Sequence, residues 1–199
     1  NNKLTGKIPL ELGLLTQLTS LSMDNNFLIT TIPSSMRLLT KLISLTLYNC
    51  RLTGTIPSFL GSLTELTTLS LSSNKLSGTV PLSLGSLTKL AYLGLFKNEL
   101  TGTIPSLLGS LTKMTHLALN NNQLTGTLPL SIGSLTELAS LYLWSNKFTG
   151  TIPSLLGSLT KMTHLALNNN QLTGTLPLSI GSLTELTLIY FWSNKFTGT

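Results

Sequence analysis

The stretch Leu117-Ala-Leu-Asn-Asn-Asn-Gln-Leu-Thr-Gly-Thr-Leu-Pro-Leu-Ser-Ile-Gly-Ser-Leu135 decides the fold of this chain. Its pattern, L-x-L-x-x-N-x-L-x-G-x-[IL]-P-x-x-[IL]-G-x-L, recurs every 24 residues along the whole sequence. A fixed period of this size indicates a solenoid, in which each repeat forms one coil and contacts only its neighbours. We therefore expect residues 1–199 to form a single solenoid of about eight coils.

The repeat divides the chain into numbered coils. Coils 1 to 8 begin at Leu18, Leu42, Leu66, Leu90, Met114, Leu138, Met162 and Leu186. The segments 101–148 and 149–196 differ at only four positions, which indicates duplication of a two-coil unit. Because both ends fall in the middle of a repeat, we expect a fragment of a longer protein, without capping segments.

Composition excludes several classes of protein. Charged residues make up only 9% of the chain, so much of its surface must be Ser, Thr, Asn and Gly. One charged column alternates in sign from coil to coil, apart from Lys89 beside Lys113, whereas a nucleic-acid-binding stripe would keep one sign. No run approaches the roughly 18 apolar residues of a membrane span. We expect neither nucleic-acid binding nor a membrane span. The charged column is Lys41, Glu65, Lys89, Lys113, Glu137, Lys161 and Glu185.

Each column of the repeat suggests a structural role. The L-x-x-L-x-L segment predicts a short strand that points its leucines inward and pairs in parallel with the next coil. The Asn column, which includes Asn74 and is interrupted by Cys50, lies where the chain must turn, and a buried amide there can bond backbone groups. Leu124-Thr-Gly-Thr-Leu predicts a second strand with an inward glycine. Pro129 ends that strand and begins a 3₁₀ or irregular return.

Taken together, these columns resemble the plant-type subclass of leucine-rich repeats over the whole chain. The Gly-x-[Ile/Leu/Val]-Pro extension is the part of the motif that marks this subclass. The resemblance implies an α/β solenoid of mostly parallel β-structure, wound as a right-handed superhelix with a concave sheet and a 3₁₀ or irregular convex side. Members include receptor-kinase ectodomains, polygalacturonase-inhibiting proteins and a few ice-binding proteins, which implies an extracellular or cell-surface location.

No catalytic or metal-binding constellation is found in the sequence. His116 and His164 share a column two coils apart, so roughly 10 Å separates them, too far to share one zinc ion at bonds of about 2 Å. The acidic residues are spread singly along the chain, and every glycine except Gly94 falls in a fixed column. We expect no enzyme activity, no metal and no cofactor.

Outward residues on and just after the first strand form the predicted ligand-binding surface on the concave face. An aromatic side chain recurs there on every second coil, with short polar side chains between. Exposed aromatic patches mark interaction sites, although the rings could instead stack across the shorter residues and stiffen the sheet. The predicted ligand-binding residues are Tyr48, Tyr92, Phe96, His116, Asn120, Tyr142, Trp144, His164, Asn168, Tyr190 and Trp192.

Outward residues of the second strand form two columns that we call the threonine ladder. We expect the columns to lie about 6.6 Å apart along the strand and to repeat every ~4.8 Å across coils. Such an array resembles the ice-contacting surface of repeat-built antifreeze proteins, although threonine also suits any exposed strand. The ladder comprises Thr53, Thr55, Thr79, Thr101, Thr103, Thr125, Thr127, Thr149, Thr151, Thr173 and Thr175, and extends to Thr199.

The sequence favours a non-catalytic scaffold that binds a protein or peptide, or less readily a carbohydrate, along the concave sheet. Binding would cost little entropy, because packing fixes the outward side chains before the ligand arrives. Ice binding by the threonine ladder and a spacer whose faces bind nothing stay open as alternatives. Bare end coils also predict end-to-end self-association.

Overall fold

A parallel sheet runs through the whole molecule, with one short strand from each coil in chain order. The computed structural model describes residues 2–198, and Asn1 and Thr199, predicted to belong to incomplete end repeats, lie outside them. Leu69 pairs with Leu93 in the next coil, so columns in the sequence are columns in space. The strands are Ser20–Ser22, Ser44–Thr46, Thr68–Ser70, Tyr92–Gly94, His116–Ala118, Ser140–Tyr142, His164–Ala166 and Leu188–Tyr190.

A 3₁₀ helix of five residues follows each proline and forms the side of the coil opposite the sheet. The prolines are extended, as at Pro129 with φ −68° and ψ 138°. Neighbouring helices approach so closely that a Cβ on Gly61 would lie 2.1 Å from the carbonyl oxygen of Ser83. The predicted fold class is confirmed. The helices are Leu10–Leu14, Ser34–Leu38, Ser58–Ser62, Leu82–Ser86, Ser106–Ser110, Leu130–Ser134, Ser154–Ser158 and Leu178–Ser182.

Inward leucines fill the space between the sheet and the helices as one continuous core. In coil 3, Leu66, Leu69 and Leu71 are fully buried, and the equivalent side chains of neighbouring coils pack above and below them. Each coil therefore depends on the coils beside it. The last coils leave Leu178 and Trp192 exposed; end-to-end self-association stays a prediction. No helix between residues 2 and 198 is long and apolar enough to cross a bilayer.

Buried asparagine side chains join consecutive coils at the turn after each sheet strand, as predicted. The Oδ1 of Asn74 accepts hydrogen bonds from the backbone amides of Cys50 at 3.0 Å and Leu52 at 2.9 Å, both in the preceding coil. Its Nδ2 donates to the carbonyls of Leu47 at 2.8 Å and Leu71 at 3.0 Å. Equivalent bonds from a backbone amide of the preceding repeat are accepted by Asn26, Asn98, Asn122, Asn146, Asn170 and Asn194.

Cys50 occupies the asparagine position of coil 2 and reproduces only half of its bonding. Its buried thiol donates to the carbonyl of Met23 at 3.0 Å, as an asparagine Nδ2 would. Burial raises the pKa of this thiol, which keeps it protonated as a donor. A thiol has no carboxamide oxygen, so Cys50 cannot offer the amide of Leu28 the bond that Leu52 receives from Asn74.

The second strand is shorter and less continuous than predicted. Thr125–Gly126 pairs with Lys147–Phe148, Thr173–Gly174 pairs with Lys195–Phe196, and these two pairs form separate sheets. Gly126 has φ +76°, a left-handed conformation that interrupts the extended backbone. This conformation therefore requires glycine. Gly126 is also half-buried, so the prediction of an inward glycine within an extended strand was wrong.

Two ion pairs form in the charged column between consecutive coils, as its alternation predicts. Lys89 lies 2.7 Å from Glu65, and Lys161 lies 2.7 Å from Glu137. The hydrogen bond from Lys161 lowers the pKa of Glu137. Both pairs are exposed, so solvent screens them and they contribute little to stability.

We expect Cys50→Asn to stabilise the protein by about 1 kcal/mol, because the new carboxamide oxygen can accept from the Leu28 amide. The reciprocal control is Asn98→Cys, which removes the acceptor of the Leu76 amide and should destabilise by a similar amount. The free energy of unfolding in urea measures both. Equal destabilisation by the two substitutions would contradict the bonding pattern described here.

Candidate functional site

The outer face of the sheet alternates between tall and short side chains from coil to coil. At the third residue of the strand the alternation holds from coil 5 to coil 8, where Ala118, Tyr142, Ala166 and Tyr190 lie side by side as Cα partners. Coil 4 has Gly94 at this position, and its rings are at Tyr92 and Phe96 instead. Coils 4, 6 and 8 carry large rings on this face, whereas coils 5 and 7 carry small floor residues. The alternation produces ridges separated by depressions.

The first depression, slot A, is a cavity of about 280 Å³ over coil 5. His116, Ala118 and Asn120 line its floor, and rings of coils 4 and 6 stand on either side. Its lining is mostly apolar, with an amide and an imidazole as polar groups. The ring residues are Tyr92, Phe96, Tyr142 and Trp144.

The second depression, slot B, lies over coil 7 with a volume of about 270 Å³ and shares the asparagine floor and aromatic walls of slot A, but not its histidine and alanine. Asn168 and Asn169 contribute its floor, and Trp144, Tyr190 and Trp192 its walls. Trp144 lines both slots and is therefore a shared wall. Trp192 has 58% of its surface exposed.

The floor asparagines differ from the sequence prediction. Asn120 and Asn168 were expected as exposed polar residues between the aromatic rings, but they are only 6% and 4% exposed. The taller side chains of the adjacent coils shield them from solvent. The Oδ1 of Asn168 is buried and has no hydrogen-bond partner among residues 2–198. An unpaired buried polar atom is costly.

The equivalent depression over coil 3 is closed. The rings of Tyr48 and Phe96 lie 6.1 Å apart, centroid to centroid, and cover Ser72, which is fully buried. The sequence left two interpretations of the aromatic column open. One of them, ring stacking across a shorter residue, applies to Tyr48. It does not describe Trp144, which stands between two open cavities.

The two histidines lie beside tyrosine rings on this face. His116 is exposed and its ring is 6.1 Å from that of Tyr92, whereas His164 is half-buried and 6.3 Å from Tyr142. Each Nδ1 shares a hydrogen bond with the hydroxyl of the preceding threonine. In the described part of the chain, no three His, Cys, Asp or Glu side chains come together as a metal site would need.

Gly94 is a site residue that the sequence singled out without explaining. A Cβ added there would lie 2.8 Å from a ring carbon of Tyr92 and 2.9 Å from its hydroxyl oxygen. The missing side chain thus lets the Tyr92 ring lie across the sheet as a wall of slot A. Burial raises the pKa of Tyr92 accordingly. The position of Gly94 outside the fixed glycine columns was the signal that could have identified this role.

Apart from the half-buried Thr53, the described threonines of the ladder are exposed, but they lack the predicted rectangular spacing. Thr79 forms its bridge with Thr101 of the next coil, and Thr125 pairs with Lys147 instead of Thr149. Consecutive coils are thus sheared by two residues, which places threonines of one column roughly 8 Å apart instead of the expected ~4.8 Å. In the second column, each methyl lies over a glycine of the next coil. The methyls of Thr31, Thr55, Thr79, Thr103, Thr127, Thr151 and Thr175 contact Gly54, Gly78, Gly102, Gly126, Gly150, Gly174 and Gly198 in this way.

Family models match most of the chain. The model described as "Leucine rich repeat" covers residues 40–100, and a second model, "Leucine Rich Repeat", matches residues 17–39, 113–135, 137–159 and 161–183. No curated protein matches the chain significantly.

Solved plant proteins share both the fold and part of the sequence. The plant peptide hormone receptor RGFR1, solved with RGF2, is 36% identical with a TM-score of 0.96, and the match covers 98% of this chain and 31% of the receptor. The Arabidopsis receptor kinase HAESA, solved with the peptide hormone IDA and the co-receptor SERK1, is 38% identical with a TM-score of 0.91, covering 96% and 33%. A plant ice-binding protein is 32% identical with a TM-score of 0.84, covering 100% of this chain and 72% of that protein. The chain spans about a third of the length of the receptor structures.

We expect Gly94→Ala to displace the Tyr92 ring from slot A, because the new methyl group would overlap it. The ring should become more solvated, and the pKa of Tyr92 should fall toward its ordinary value of 10.0. Ultraviolet titration of the tyrosines measures this change. Ala118→Gly is the matched control at the same column in coil 5 and should leave the Tyr92 titration unchanged; a Gly94→Ala titration that overlays the parent curve contradicts the assignment.

Proposed function

The chain belongs to the leucine-rich-repeat family, and we propose that it is a non-catalytic scaffold that binds a protein or a peptide on the outer face of its sheet. The observation that carries this proposal is the pair of open slots with aromatic walls, each with an asparagine in its floor. An apolar cavity with a few convergent polar groups is the usual form of a binding site.

Physical chemistry favours binding at this position over simple stiffening of the sheet. Tryptophan and tyrosine supply large apolar areas and a polar atom at the rim, which is why they dominate binding energy at interfaces. The strands that carry Tyr142 and Trp144 are held by the core, so these walls lose little freedom when a ligand enters. A stiffening role explains the closed Tyr48–Phe96 contact but leaves both open slots without a purpose.

The similar receptor structures support a peptide as the ligand. RGFR1 is a plant peptide hormone receptor solved with RGF2, and the receptor kinase HAESA was solved with the peptide hormone IDA. By analogy we propose that this chain acts outside the cell or at its surface. Carbohydrate is the alternative ligand for the same slots, since flat rings beside amides suit either class. A spacer whose faces bind no ligand is the other alternative, and it gives the slots no role.

We expect the double variant Tyr142→Ala and Trp144→Ala to abolish peptide capture, because it removes walls of both slots. Loss of two central aromatic anchors should weaken binding by about a hundredfold or more, while unfolding free energy changes by less than about 1 kcal/mol for half-exposed side chains. Selection from a displayed random-peptide library, followed by affinity measurement on the enriched peptides, provides the test.

Tyr48→Ala is the matched control, since Tyr48 lies in the column of Trp144 but lines neither slot. It should retain capture. Enrichment of no peptide by the parent protein, or equal affinity of the double variant for the enriched peptides, argues against the scaffold proposal. If the double variant loses binding only because its melting temperature is lower, that result also argues against the scaffold proposal.

Ice binding by the threonine ladder is the second candidate function. The ladder is exposed over coils 4 to 7, and an ice-binding plant protein shares the fold at 32% identity over the whole of this chain. The sheared register weakens the match to a flat lattice, and the packing of each second-column methyl on a glycine gives threonine a structural purpose. We therefore rank ice binding behind the scaffold.

If ice binding is the function, the parent protein should shape ice crystals and show thermal hysteresis, and replacing Thr127 and Thr151 with Tyr should remove both effects. A bulky ring on each coil would break the regular surface without entering the core. Replacing Thr112 and Thr136, exposed threonines on the opposite side of the coils, with Tyr is the control and should change neither effect. Absence of hysteresis from the unmodified protein at millimolar concentration rules this function out.

A further inference from the structure

The two slots repeat at a spacing that constrains the conformation of their ligand. Slot A lies over coil 5 and slot B over coil 7, and both have nearly the same volume. Neighbouring parallel strands lie about 4.8 Å apart, so equivalent points of the slots are about 9.6 Å apart along the axis of the solenoid. A ligand that fills both slots must present equivalent groups on one side at this distance.

We propose that slots A and B bind successive turns of a peptide in the polyproline II conformation, with a proline at every third residue. This inference rests on the proposed scaffold function and specifies its ligand. A polyproline II helix has three residues per turn and rises 3.1 Å per residue, so residues i and i+3 point the same way about 9.3 Å apart. That distance agrees with the slot spacing.

An extended strand fits the spacing poorly. Side chains on one side of a strand recur every two residues, at about 6.6 Å and then about 13.2 Å, so a strand anchored in slot A would miss slot B by about 3 Å. An α-helix brings residues i and i+7 to about 10.5 Å, but its diameter of about 10 Å or more holds its backbone away from the floor amides.

The polar groups of the slots also suit a polyproline II backbone. That conformation makes no internal hydrogen bonds, so its carbonyl groups must find donors elsewhere. The Oδ1 of Asn168, in the floor of slot B, is an acceptor without a hydrogen-bond partner among residues 2–198, so it suits an N–H of a non-proline residue of the peptide. The indole N–H groups of Trp144 and Trp192 stand in the walls and are donors only. Aromatic-lined grooves recur as docking surfaces for this conformation.

The closed depression over coil 3 sets the length of the motif. Because Tyr48 and Phe96 cover Ser72, the row of open slots ends at coil 4 on that side. The described chain therefore offers two open slots, and the shortest ligand that fills both is Pro-x-x-Pro, running along the solenoid axis across the strands.

The test compares two synthetic peptides of twelve residues with identical composition, both made of proline and alanine. One has proline at every third position, and the other has prolines spaced alternately by two and four residues. The two tryptophans of the chain both line the slots, so their fluorescence reports binding directly. We expect the regularly spaced peptide to bind at least about tenfold more tightly, because only it can occupy both slots.

Trp192→Ala removes a wall of slot B only, and Trp144 remains as the reporter. This variant should lose about tenfold in affinity for the regular peptide and lose its preference between the two spacings. The control is Leu107→Ala, which truncates an exposed side chain in the 3₁₀ helix Ser106–Ser110 opposite the sheet. It should retain both the affinity for the regular peptide and the preference between the two spacings.

Equal affinity for the two spacings overturns the proposal, as does no fluorescence response to either peptide at millimolar concentration. A stronger response to a linear glucose oligosaccharide overturns it in favour of a carbohydrate ligand. Library peptides that lack the proline spacing but still depend on Tyr142 and Trp144 would overturn only this inference and leave the scaffold function standing.

Discussion

The buried asparagine at the turn of each coil is the interaction on which the rest of the structure depends. Its carboxamide pairs backbone groups that the turn leaves without partners, in its own coil and in the preceding one, as Asn74 does with Leu71 and Leu52. Leaving one such buried group unpaired costs about 1–3 kcal/mol. Because each asparagine binds across the coil boundary, it fixes how one coil sits on the next, and Cys50 shows that a donor alone is tolerated at one position.

Fixed stacking of the coils turns side-chain size into surface shape. In the sheet, every residue pairs with the one a full repeat later, so a column with alternating small and large residues becomes a row of depressions and walls. Ala118 lies in the floor of slot A because Tyr142 rises beside it. The duplicated two-coil unit repeats this contrast, and the spacing of the slots is therefore set by the backbone.

The threonine ladder shows how a regular column can produce a different geometry in the same chain. Glycine in the left-handed conformation breaks the second strand, and the coils are sheared there by two residues. The methyl of Thr103 covers the space left by Gly126. Threonine is thus accounted for partly by packing, whereas packing does not account for the open slots on either side of Trp144. This difference places the sheet face ahead of the ladder as a functional surface.

The sequence by itself determined the coil length, the inward leucines, the asparagine turns and the 3₁₀ segments after each proline. These features depend on contacts within a coil or with its identical neighbour, so a repeated local pattern contains all the information they need. Tertiary structure alone decided which outward residues are available. The closure of Tyr48 on Phe96, the burial of Asn120 and Asn168, and the shear of the ladder depend on side chains and backbone conformations in different coils. The residue type at one position of a column does not contain this information. Whether a side chain is covered depends on the size and orientation of the rings in the neighbouring coils, and the register of the ladder depends on the left-handed glycines.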